Sequence, residues 1–146
     1  MTDRRRLLGL DVGTVRIGVA VSDELGIIAT PLEFVARGPQ DRAAFRKLVD
    51  RYQIGGLVAG IPRGLSGREG PQAQDVRGYT DTLARELDLP LVYWDERLTT
   101  VIAERSLITG GRSRQQRKSE VDSAAAAVML QGYLDRQASQ RRTEPV

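Results

Sequence analysis

Residues 7–21 read Leu-Leu-Gly-Leu-Asp-Val-Gly-Thr-Val-Arg-Ile-Gly-Val-Ala-Val, and their pattern decides the architecture. Leu8, Leu10 and Val12 alternate with small or polar neighbours, the period of a strand. Gly13 and Thr14 make a turn, and Ile17, Val19 and Val21 resume the alternation, so the stretch predicts a hairpin. Asp11 falls inside its first strand. An unpaired carboxylate there is costly to bury. Asp11 therefore needs a partner, either a metal cation or hydrogen bonds from the turn at Gly13 and Thr14.

Working outward, Gly26 marks another turn, and residues 27–34 read as a third strand. Pro31 places that strand at an edge or a bulge. Over residues 41–52, Phe45, Leu48, Val49 and Tyr52 share one helical face, and Gly55-Gly56 is expected to end that helix. The apolar run 57–61 predicts a strand buried on both faces. A loop rich in glycine and arginine follows over 62–71. Val76, Tyr79, Leu83 and Leu87 trace a second helix that Pro90 stops. Residues 91–94 form a fifth strand, with Asp95-Glu96-Arg97 just past its end, and a short helix is expected over about 101–108.

Residues 110–118 are polar and basic, with paired glycines, and are expected to be mobile. The last helix is predicted over 119–136, with Ser119 as N-cap and Asp122 in its first turn. Ala124, Ala125, Ala126 and Ala127 give it a smooth face that can lie close to a sheet. Residues 1–136 then form one domain, and 137–146 a disordered tail. Three hairpin-linked strands followed by alternating helices and strands imply an α/β fold, a mixed five-stranded sheet with helices on both faces.

The chain has no histidine and no cysteine. That excludes a Ser-His-Asp triad, a cysteine nucleophile, an imidazole acid-base catalyst and an ordinary zinc site. Carboxylates remain, and they suit hard ions such as Mg2+ or Mn2+. Asp11, Glu96 and Asp122 each fall near the end of a predicted buried element, a trio that suggests a divalent-metal site and phosphodiester cleavage. Glu96, past the carboxyl end of a strand, would face the crevice where open α/β sheets bind ligands; the alternative is a surface pair with Arg97 or Arg63. Asp122 in a first turn would also suit the helix dipole without any metal.

Net charge is +3, from 22 basic and 19 acidic residues. The distribution says more, because between 97 and 118 six basic residues stand against Glu104 alone. That surplus suits a polyanion, although a solvated surface loop would look the same. No apolar run is long enough to span a bilayer. After Arg4, Arg5 and Arg6 a glycine and an aspartate soon interrupt the leucines, so no signal-peptide core forms and a cytoplasmic protein is expected.

Five segments carry a family resemblance: Leu-Asp-Val-Gly-Thr at 10–14 with Ile-Gly-Val-Ala-Val at 17–21, Val-Ala-Gly-Ile-Pro at 58–62, Asp-Glu-Arg-Leu-Thr-Thr at 95–100, and Val-Asp-Ser-Ala-Ala-Ala at 121–126. In this order they resemble the YqgF (also called RuvX) family of Holliday-junction resolvase-like nucleases, which has a ribonuclease H-like fold. The resemblance implies 5′-end processing of precursor 16S ribosomal RNA, and some members resemble junction resolvases. It carries the catalytic and metal-binding acids over to Asp11, Glu96 and Asp122. Related resolvases place an acid on the fourth strand, whereas here that strand ends Gly60-Ile61-Pro62, so Glu96 must supply the second carboxylate, with Asp95 as its competitor.

The expected mechanism uses two divalent ions roughly 3.5–4 Å apart, bridged by Asp11. Arg16, Arg63, Arg68, Arg112, Arg114, Arg117 and Lys118 could position nucleic-acid phosphates, with ordinary surface solvation as the alternative for each. Tyr93 and Trp94 could stack bases or pack in the core. The expected partners are structured RNA or branched DNA, with ribosomal precursor particles in the first case and a homodimer in the second. A non-catalytic nucleic-acid-binding module and a nucleotide-binding lobe of the sugar-kinase kind are the rival readings.

Overall fold

The computed structural model describes residues 6–62, 68–95 and 114–143, with side chains of residues 123–140 in the last stretch. Strands β1 (Arg6–Val12) and β2 (Arg16–Ser22) form the expected hairpin, with Leu8 opposite Val21 and Asp11 opposite Gly18. Strand β3 (Ala29–Ala36) pairs antiparallel with β2. On the other side, β4 (Ile54–Ile61) pairs parallel with β1, and β5 (Leu91–Asp95) parallel with β4. The order β3-β2-β1-β4-β5 is the mixed five-stranded sheet that the pattern implies.

Side chains alternate across the sheet. Leu8, Leu10, Val12, Ile17, Val19, Leu57 and Ile61 pack with Phe45 and Val49 of α1 (Asp41–Tyr52) and with Val76 and Leu83 of α2 (Pro71–Leu87). Fully burying side chains of this size stabilises the fold by about 1.5–3 kcal/mol each. The opposite parity carries Ala20, Val58 and Trp94, which pack with Ala126, Met129, Leu130 and Leu134 of α3 (Arg114–Thr143). Helix α3 can approach because the residues beneath it are small. A Cβ on Gly9 would stand 2.9 Å from the Leu130 Cβ and 3.3 Å from the Ala126 carbonyl oxygen. The smooth alanine face does what its composition suggests at Ala126, which is fully buried.

Several boundaries differ from the sequence pattern. Strand β3 starts at Ala29 because the Asp23 carboxylate accepts the amides of Ile27 and Ile28, at 2.7 and 3.1 Å, and draws both into the turn. Pro31 lies on the edge strand, as expected. Helix α1 ends at Gln53, in the left-handed conformation at φ 54°, with its N–H donated to the Val49 carbonyl. Gly55 and Gly56 therefore belong to β4 and do not terminate the helix.

Helix α3 is longer at both ends than 119–136. Arg-Gln-Gln-Arg-Lys at 114–118 and the polar run 137–143 are mostly good helix formers without glycine or proline, so the helix continues through them. Ser119 is consequently an interior residue and not an N-cap, Asp122 lies beyond the first turn, and residues 137–143 are helical and not a disordered tail. The short helix expected at 101–108 lies outside the described residues.

Candidate active site

Asp11 sits near the carboxyl end of the central strand, on the face turned to α3. Its cross-strand neighbour is Gly18 on β2. The register Leu10 opposite Ala59 places Gly60 of β4 on its other side, and Gly60 is paired in turn with Trp94 of β5. Asp11 is thus a half-buried carboxylate between two residues without side chains, so neither strand neighbour crowds its oxygens. The turn does not cap it, because the Gly13 amide donates to the Arg16 carbonyl at 2.9 Å. Among the described residues, no hydrogen bond or ion pair engages the Asp11 carboxylate.

Helix α3 is registered onto this spot by Ser123. The β2–β3 pairing shifts register between Ile17 and Val19, and the Val19 amide donates to the buried Ser123 Oγ at 3.1 Å. A buried amide without that acceptor would cost about 1–3 kcal/mol. The backbone of Asp122, one residue earlier, is therefore held beside the strand pair that carries Asp11. Ser123 and the two flanking glycines shape the surroundings of Asp11, and the sequence pattern did not single them out. Their signal is visible in retrospect: a serine directly after the acid, and glycines at matching strand positions.

The β1–β2 turn is pinned from the other side of the sheet. Arg37, just past β3, donates its backbone amide to the Val15 carbonyl at 2.9 Å and its Nη1 to the Gly13 carbonyl at 3.1 Å. The same guanidinium makes a bidentate pair with Asp75 of α2, both distances 2.9 Å, and stacks 4.5 Å from the Tyr79 ring centroid. The hydrogen bond from Arg37 holds the Asp75 carboxyl below its ordinary range. Burial pushes the Tyr79 hydroxyl up, reinforced by its hydrogen bond to Asp41 at 2.6 Å. Burial opposes ionisation of Asp41, yet the Tyr79 hydroxyl, the Gly38 amide and Arg42 outweigh it and lower its pKa.

The other expected site residues are placed as follows. Arg16 is exposed at the start of β2, at the same end of the sheet as Asp11, with its guanidinium 5.1 Å from the Phe34 ring centroid. Arg68 is exposed between β4 and α2. Arg114, Arg117 and Lys118 lie on the first turns of α3, with side chains outside the described residues. Glu96, Arg63 and Arg112 lie outside the described residues, as does the side chain of Asp122. Asp95 is opposite Ile61, whose side chain packs under α1 and α2, so strand parity puts Asp95 on the face away from Asp11.

Base stacking is not available to the aromatic pair. Trp94 is buried with its ring edge-on to Tyr133, and the Tyr93 hydroxyl bonds Thr80 and Asp81 at 2.7 Å each. Both rings are packing residues.

A mixed sheet in this strand order, with an acid on the central strand beneath a long helix, defines a ribonuclease H-like fold of the resolvase kind. Two solved structures share it: Thermus thermophilus RuvC in complex with a Holliday junction substrate, and the yeast mitochondrial Holliday junction resolvase. The first has a TM-score of 0.54 at 17% identity, over 93% of this chain and 98% of that one. The second has a TM-score of 0.53 at 14% identity, over 97% and 82%. At these identities the likeness is one of fold.

The chain belongs to the RuvX family, whose model, described as Holliday junction resolvase, matches residues 5–136. A relative from Roseobacter denitrificans is 48% identical over 136 residues, covering 90% of this chain and 83% of its own length. One from a Geobacillus species is 44% identical over 134 residues, covering 89% and 97%. Both are provisionally named pre-16S rRNA nuclease.

Proposed function

We propose that this protein is a divalent-metal-dependent nuclease that hydrolyses phosphodiester bonds at the 5′ end of precursor 16S ribosomal RNA, with Asp11, Glu96 and Asp122 as the carboxylates that would hold Mg2+ or Mn2+. The observation that carries the reading is Asp11 itself, half-buried between Gly18 and Gly60 and uncapped by its own turn. An all-oxygen donor set in a chain without histidine or cysteine fits a hard cation. Bound there, such ions would activate water and stabilise the leaving oxygen. The protein's own part is to hold the carboxylate on a central strand, to keep space open over the flanking glycines, and to neutralise backbone phosphates. Arg16, Arg63, Arg68, Arg112, Arg114, Arg117 and Lys118 are the residues proposed for that last role.

The family description and the resolvase fold favour a second substrate, the four-way DNA junction, cut by a symmetric homodimer. Side-by-side incubation of precursor ribosomal RNA and a synthetic junction separates the two. The proposal expects RNA cleavage with Mg2+ or Mn2+, none with chelator and none by the Asp122→Asn protein. Preferred junction cleavage would move the assignment to the second substrate. RNA binding with undiminished cleavage by Asp11→Asn would remove the catalytic role of the acid.

A further inference from the structure

We infer that Arg37 is a positioning residue for the Asp11 site, locking the Gly13 peptide to α2 on the opposite face of the sheet. The inference rests on the metal-site reading of Asp11. Thr14, Val15 and Arg16 are exposed, Val15 at 69%, so packing does little to fix the turn that follows the acid. Polar contacts fix it instead. The Gly13 amide is used by Arg16, and the Gly13 carbonyl by Arg37 Nη1. A Cβ at residue 13 would come within 2.8 Å of the Arg16 carbonyl oxygen, so the turn accepts only glycine without moving.

Arg37 is itself held on three sides. Asp75 takes two of its N–H groups, Tyr79 lies against its plane, and its backbone amide is bonded to Val15. Its neighbour Gly38 donates to Asp41, the acid that also accepts the Tyr79 hydroxyl. A guanidinium can satisfy a carboxylate with one edge and a carbonyl with a further N–H, a geometry that a lysine ammonium on its flexible stem does not reproduce. One side chain therefore ties α2 to the chain two residues past Asp11. Loss of the fork frees the Gly13 peptide, and the carboxylate upstream of it loses its fixed orientation.

The test uses the full chain labelled for NMR. Amide hydrogen exchange at residues 13–15 reads the anchoring. Paramagnetic broadening of residues 11–14 by Mn2+ alone reads metal binding without any turnover. The Arg37→Met protein should exchange faster at 13–15 and show an Mn2+ midpoint raised about tenfold, the usual effect of removing a supporting partner at a metal site. Arg37→Lys and Asp75→Asn should fall between it and wild type. Arg51→Met, on the exposed side of α1, should match wild type. Unchanged exchange and midpoint in a cooperatively melting Arg37→Met protein would overturn the inference, as would an equal effect from Arg51→Met. If Arg37→Met does not fold, Arg37→Lys carries the same comparison. A wild-type protein without Mn2+ broadening near Asp11 would refute the metal reading and the predicted affinity change together, while faster exchange at residues 13–15 would still show that Arg37 holds the turn.

Discussion

Toward α1 and α2 the sheet presents Leu8, Leu10, Ile17, Val19, Leu57 and Ile61, each at most 1% exposed. Toward α3 it presents Gly9, Gly18, Ala20 and Gly60, with Asp11 among them. The first face is filled with aliphatic volume and supplies stability. The second lets a helix backbone come close and, among the described residues, flanks one acid with two glycines. Both faces are packed, the second also through Val58 and Trp94, but only the second carries an acid between glycines.

The sharpest way to break this comparison is at Asp11. Asp11→Asn should reduce cleavage on the order of a thousandfold, equivalent to about 4 kcal/mol of transition-state stabilisation. Its melting temperature in chelator should stay the same or rise, because a charge without a partner among the described residues has left a half-buried site. Steady-state kinetics and calorimetry on one preparation read both effects. On the packing face the pattern reverses. Leu57→Ala should cost about 2–5 kcal/mol in denaturant unfolding while leaving kcat per folded molecule near wild type.

Gly9→Ala tests the helix approach. The added methyl meets Leu130 at 2.9 Å, so the variant should lose about 1–3 kcal/mol and also lose activity as α3 shifts from the sheet. The smallest effects are in pH dependence. Asp41 and Asp75 have folded pKa values below the ordinary 3.8, so their contribution is present above that pH and is lost as pH falls through the folded values. Tyr93 is pushed up to about 12, chiefly by burial, so its contribution is present below pH 10 and lost as pH rises toward 12. Asp41→Asn should flatten the acid limb of a stability profile and Tyr93→Phe the alkaline limb, with activity near neutral pH little changed.

Much of the architecture was legible in the sequence, because alternation in 7–21 and the helical stripes at Phe45–Val49 and Val76–Leu83 are period signals that burial enforces. Boundaries were less legible, because single local interactions with no periodic signal decided them. Gln53 adopts a left-handed cap that glycine would more commonly take, and Asp23 captures two amides four and five residues away. The ends of α3 misled because polar residues at 114–118 and 137–143 lack the apolar stripe that marks a packed helix, yet keep high helix propensity. At the site, Asp11 stood out as an acid in an apolar strand. Ser123 and Arg37 did not, since their roles depend on contacts 104 and 24 residues distant in the chain.

The central claim is that the Asp11 carboxylate belongs to a cation site completed by Glu96 and Asp122. A crystal structure of the protein with Mn2+, read by anomalous scattering, tests it most directly. The account predicts a metal peak about 2.1 Å from an Asp11 carboxylate oxygen, with Glu96 and Asp122 in the same coordination shell. Full Mn2+ occupancy elsewhere, with Asp11 bonded only to protein groups or water, would contradict it.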